Sequence, residues 1–185
     1  MAYNGVLIES RIMATNNDAL NESAVCTVAD IPGGGLVHLE ASDKKGDFVK
    51  VATLPAAGKM GDLWVAYNPS EHLTEINGKM FSDLSADPRD YVNIKGRTFG
   101  VFKPVANVDE IVITAECIVD ASEVVKGDIL ESTSGDARLT RVAGATGATA
   151  GSTAFKVMRV EAIPFPQAGI GQAYVKAFFV KCVQA

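Results

Sequence analysis

The chain has 185 residues, 48% of them hydrophobic and 21% charged, with a net charge of −5. That much apolar material outweighs chain entropy, which argues against a disordered polymer, and a compact chain of this length buries roughly 70% of its unfolded surface without needing staples. An acidic field with its 17 Lys and Arg scattered argues against nucleic acid or an anionic membrane as partner.

In chain order, Val6-Leu7-Ile8 predicts a short strand, and the aperiodic polar run Thr15–Ser23 predicts an extended segment; residues 1–23 together read as an N-terminal arm. Ala24–Ile31 is strand-like and is broken at Pro32-Gly33-Gly34-Gly35, a flexible connection in this reading. Leu36–Glu40 and Phe48–Val51 predict a hairpin, and Asp62–Tyr67 a strand that Asn68-Pro69 ends. A Gly-Asp-apolar-apolar pattern at Gly46, Gly61 and Gly127 marks entries from turn to strand, with Gly supplying positive φ. Ser70–Ile76 predicts two helical turns stopped at Asn77-Gly78, and Asp87-Pro88-Arg89-Asp90 an N-cap opening a very short helix. Asn93–Phe102, with Gly96 and Gly100, predicts a curved strand or strand pair.

A sub-boundary, if the chain has one, falls near 104–108. Beyond it Ile111–Val119 alternates as a strand, followed by strand signals at Val124–Leu130, Arg138–Thr140 and Ala154–Val160. The small-residue stretch Gly144–Thr153 predicts a mobile surface loop. Ile163-Pro164-Phe165-Pro166 should not continue a paired strand, and Ala173–Val183 predicts a long final one. The expected fold is mainly β, a small β-barrel or β-sandwich over residues 24–185, with one or two very short helices and an extended arm over 1–23.

Chemistry is hard to find in this chain. His38 and His72 are the only histidines, and His38, between Val37 and Leu39, predicts a packed, hydrogen-bonded ring. Cys26, Cys117 and Cys182 lie far apart with no C-x-x-C pair and predict buried free thiols. The absence of a basic n-region with a long apolar h-region predicts synthesis in a reducing cytoplasm, and Asn21-Glu22-Ser23 reads as a chance sequon. The triglycine lacks the Lys-Ser/Thr ending of a phosphate loop. Asp43/Asp47, Asp87/Asp90 and Asp109/Glu110 fit turn chemistry better than a calcium loop. Lys45-Gly46-Asp47 and Lys126-Gly127-Asp128 match a short adhesion tripeptide at low specificity. Trp64, Tyr67 and Phe48 offer either core packing or a sugar-stacking platform. No catalytic residue, metal ligand or cofactor is assigned, and no enzyme is expected.

Ser122-Glu123-Val124-Val125-Lys126-Gly127-Asp128-Ile129-Leu130, the small-residue loop ending at Thr153, and the strand Phe155–Val160 resemble the β-barrel of tailed-bacteriophage capsid decoration (cement) proteins. Pro88–Asn93 and Phe99–Pro104 are similar in character to phage virion structural proteins. The resemblance implies a non-enzymatic protein, made in the host cytoplasm, that binds the exterior of an expanded capsid and stabilises it. Its partners would be the major capsid protein and further copies of itself. In that role the arm would lie across a capsid subunit through Val6, Leu7, Ile8, Arg11, Ile12, Asn16 and Asn17. Two rivals stay open: another virion part such as a tail tube subunit, and a glycan- or receptor-binding β-module.

Overall fold

Each apolar run in the chain is of strand length and each gap carries turn residues, and the structure, a computed structural model, is correspondingly a β protein. It describes residues 4–41, 48–76, 79–144, 146–167 and 171–185. Strand β1 (Leu7–Arg11) opens the chain and belongs to the larger sheet. Next come β2 (Asn21–Val25), β3 (Leu36–Glu40), β4 (Val49–Thr53) and β5 (Trp64–Ala66). After them β6 (Leu73–Ile76) and β7 (Lys79–Ser82) form a hairpin of their own, and β8 (Thr98–Phe102) returns to close a barrel ordered β2-β4-β3-β5-β8. Five strands leave a narrow lumen, which explains why Ala24, Val37, Ala52, Ala66 and Val101 fill it.

The rest of the chain builds a seven-stranded mixed sheet. Its strands are β9 (Glu110–Thr114), β10 (Ile118–Val119), β11 (Ile129–Thr133), β12 (Asp136–Val142), β13 (Ala154–Gln167) and β14 (Gly171–Gln184), in the order β1-β9-β14-β13-β11-β12-β10. The chain passes from barrel to sheet between Phe102 and Glu110, yet the two share a core. Leu36, Leu63, Val65 and Phe102 from the barrel side pack in one cluster with Leu7, Ile113, Leu130, Phe155 and Phe178 of the sheet.

The β3–β4 hairpin forms as expected, with Leu39 opposite Ala52. The N-terminal segment is no arm: β1 pairs antiparallel with β9, and Val6, Leu7, Ile12 and Ala14 are buried. Two residues remote in sequence anchor this segment. The buried Asp109 carboxylate accepts hydrogen bonds from the backbone N–H of Met13 and of Val105, both at 2.7 Å. The Asn68 side chain bonds Leu7 like a neighbouring strand, accepting from its N–H at 2.8 Å and donating to its C=O at 2.6 Å.

There is no α-helix among the described residues, only five short 3-10 turns. Asp87 caps Pro88–Asp90 by accepting from Arg89 N–H, as its sequence predicts. Ser70–Ile76 is not helical; β6 pairs with β7, Ile76 opposite Lys79, and the Asn77-Gly78 stop lies outside the described residues. Ile111–Val119 is interrupted by a 3-10 turn at Ala115–Cys117. Pro164 and Pro166 do lie in a paired strand, because among the described residues β13 has no neighbour on its outer side beyond Lys156, and a missing donor is tolerated at an edge.

The triglycine is buried packing and not a flexible connection. A Cβ on Gly33 would come within 2.1 Å of Asn68 Oδ1, and Gly34 N–H donates to Ala66 C=O at 2.8 Å. The small-residue loop is likewise held down. Glu131 accepts from Thr149 N–H at 2.5 Å, Thr153 N–H donates to Met60 C=O at 2.7 Å, and Gly61 abuts the Gly151 carbonyl so closely that a Cβ would sit 2.9 Å from it. At Gly61-Asp62 the aspartate, with φ of 59°, takes the left-handed conformation, whereas at Gly127 the glycine does. The Gly46 instance lies outside the described residues.

Candidate functional site

β13 and β14 are both 14 residues long, and their neighbours cover only part of them. β11 pairs with β13 only over Ala154–Lys156 and a bulge follows at Met158, while β9 covers β14 over Ala177–Lys181. From Ala162 to Gln167 and from Gly171 to Lys176 the pair runs on as a two-stranded ribbon, about 20 Å long at the usual strand rise. One face of it is dry: Phe165 and Val175 pack with Val6, Ile8 and Ile163. The opposite face carries Pro164, Pro166 and Tyr174, the last paired across from Pro164 and 75% exposed.

The β6–β7 hairpin is a second two-stranded ribbon, with Met80, Phe81 and, just beyond it, Leu84 exposed. Its base is tied to the first. His72 stacks on the buried Tyr91 at 4.5 Å between ring centres, and Tyr91 Oη donates to Ser85 C=O at 2.6 Å. Two residues back, Arg89 is only 7% exposed and Asp87 only 2%. Arg89 Nε and NH2 donate to the two Asp87 oxygens at 3.0 and 2.6 Å, its guanidinium lies 3.6 Å from Glu116, and it sits 5.9 Å above the Phe165 ring. Burial pushes the Asp87 carboxyl up, but the Arg89 hydrogen bonds and charge outweigh it and hold the group below its ordinary range. One buried ion pair therefore anchors the base of the hairpin and the inner face of the long ribbon.

Beside the ribbon base, Val124, Val125, Met158 and Val160 form an open groove of about 460 Å³ rimmed by Lys126, Arg159 and Lys176. Lys176 Nζ donates to Ala121 C=O at 2.8 Å, and Arg159 lies over Phe179 at 3.8 Å while pairing with Glu161. A second shallow depression is lined by Arg11, Ile12, Met13, Thr15, Asn16 and Val108.

These surfaces differ from the one expected. Of the arm residues named for partner contact, Val6, Leu7 and Ile12 face the interior, Ile8 is half-buried on the inner face of the ribbon, and Arg11, Asn16 and Asn17 are exposed. The Asn17 side chain caps a turn by accepting from Ala19 N–H. Both ribbons went unseen as surfaces in the sequence; the signals were Asn77-Gly78 between apolar runs, and the unequal lengths of the last two strands compared with their neighbours.

The chemical candidates are occupied structurally. Cys26, Cys117 and Cys182 are free and buried, and burial pushes the Cys117 and Cys182 thiols up to about 12. His38 is half-buried, but its Nδ1 has no hydrogen-bond partner among the described residues, with Glu40 4.0 Å away. Asp128 accepts from Val125 N–H and lies 2.7 Å from Arg141, so the Lys126-Gly127-Asp128 aspartate is engaged. Asn21, the sequon residue, bonds Ala14 C=O and Tyr67 Oη. Tyr67 turns onto Phe102, Trp64 is half-buried near Lys103, and Phe48 is exposed. Asp43/Asp47 and Lys45-Gly46-Asp47 lie outside the described residues. Among the described residues no cluster of three or more His, Cys, Asp or Glu could hold a metal, and no helix is long and apolar enough to cross a membrane.

Compared with known proteins, the chain matches no family model, no curated protein and no solved structure.

Proposed function

We propose that this protein is a non-enzymatic virion subunit that binds the outer surface of an expanded phage capsid and stabilises the shell, seated through the exposed face of the β13–β14 ribbon. The observation that carries the reading is the ribbon itself. A strand pair projecting beyond its sheet costs backbone order and exposes Tyr174 and two prolines, a cost that docking against a partner offsets. The buried Arg89–Asp87 pair and the Phe165 cluster hold it stiff, so little further entropy is lost on docking. Pro164 and Pro166 keep the outer edge from recruiting strands at random, which suits a surface that must meet one partner by its face. Affinity per copy is modest, and many copies on one shell act together.

The test is co-sedimentation with phage heads stripped of accessory proteins, expanded heads against unexpanded ones. Saturable binding to expanded heads, in a fixed ratio to capsid subunits, is expected. No binding to either form would overturn the reading, and spontaneous rings or tubes of the pure protein would move it to the tail.

A further inference from the structure

The β6–β7 hairpin and the Val124–Met158 groove are two uncovered apolar surfaces whose flanks differ in charge, with acids at the base of the hairpin, below the exposed Lys79 of β7, and cations along the groove. A two-stranded hairpin is marginal in water unless something packs on it, and this one has no third strand among the described residues, with Met80, Phe81 and Leu84 turned outward. Acids stand at its base: Asp83 beside Leu84, and Glu71 just before β6, both well exposed. The groove has the complementary pattern. Its floor is Val124, Val125, Met158 and Val160, its rim is Lys126, Arg159 and Lys176, and no carboxylate lines it, in a chain whose net charge is −5.

No residue of β6 or β7 lines the groove in the single chain. We infer that the hairpin of one copy docks in this groove of a second copy, Leu84 and Phe81 against Val125 and Met158, with Asp83 and Glu71 facing the cationic rim. The existing partners of these charges do not oppose the exchange. Asp83 with His72, Glu71 with Arg97 and Arg159 with Glu161 are exposed pairs, worth little each, and Lys126 has no ion-pair partner among the described residues. Because each copy offers both a hairpin and a groove, the contact either repeats reciprocally in a two-fold dimer or runs head to tail. The inference stands apart from the capsid reading, since it concerns the protein with no shell present.

The test is sedimentation equilibrium of the full chain alone, at about 0.05 M and about 0.5 M salt. Two variants at exposed positions are compared, Leu84→Asp (54% exposed in the native chain) and Val125→Asp (55%), each first checked for unchanged urea unfolding. Reversible self-association of the native protein is expected, weaker at high salt, and weakened about tenfold or more by either variant. A mixture of the two variants should associate more strongly than either alone, because the intact hairpin of one meets the intact groove of the other. A native protein that stays monomeric would overturn the inference. So would association that survives Leu84→Asp, which would give the groove a different occupant, or a mixture that gains nothing over its components.

Discussion

The barrel and the β13–β14 ribbon are made from similar β-branched and aromatic residues, yet one has no edges and the other is largely edge. In the barrel every strand has a partner on both sides, and small residues at Ala24, Ala52 and Ala66 let it close. In the ribbon two strands outrun their neighbours, with one face dry and the other exposing Tyr174. The same strand physics thus yields a closed scaffold where hydrogen bonding returns on itself, and a projecting ribbon where it is left open and its edge is blunted by proline.

Barrel and sheet should unfold as one cooperative unit. Phe102 ends a barrel strand but packs in the cluster shared with the sheet, so Phe102→Ala should cost about 3–5 kcal/mol. Trp64 fluorescence, reporting the barrel, and far-ultraviolet circular dichroism should still give one coincident urea transition. Separate transitions would mean that barrel and sheet are two independent domains.

Next in size is the anchor of the ribbon. Arg89→Met leaves the Asp87 carboxylate buried without its cation and should cost about 3 kcal/mol. The pH dependence follows from the lowered Asp87 value. A carboxyl whose folded pKa lies below its unfolded value contributes stability above about pH 4, and that contribution is lost as pH falls through the folded pKa. Asp136, held down chiefly by its hydrogen bonds from Arg138, adds a loss of the same sign. The gap in unfolding free energy between native protein and Arg89→Met should therefore narrow below about pH 4.

A smaller effect is expected at Asn68, whose amide serves as a surrogate strand for Leu7 and so joins the loop after β5 to the large sheet. Asn68→Ala should cost about 1–3 kcal/mol, read by the same urea titration, because both Leu7 backbone groups lose their partner. The smallest change in stability, with the clearest change in behaviour, is expected for Pro164→Thr combined with Pro166→Thr. Unfolding should shift by less than about 0.5 kcal/mol, while restored edge donors raise concentration-dependent aggregation in light scattering.

Much of the fold was legible because its signals are local. Leu36–Glu40 reads as a strand and is one, and the Asp87-Pro88 cap needs only four residues. What escaped reading depends on partners remote in sequence. The first 23 residues look like an arm until Asp109, 96 positions beyond Met13, and Asn68, 61 beyond Leu7, supply their hydrogen bonds. The Gly144–Thr153 loop looks mobile until Glu131 and Met60 fasten it. The proline pair looked like a strand terminator because edge position is a property of the sheet and not of the residue. The ribbon was invisible for a related reason, since a projection is a difference in length between neighbouring strands.

Whether the ribbon face meets the shell, with the barrel as its support, is read from the binding of Tyr174→Asp to expanded, stripped phage heads. Tyr174 is exposed, so folding should be unchanged, and the saturable binding seen with the native protein should fall about tenfold or more in the variant. Binding of the variant equal to that of the native protein would contradict it.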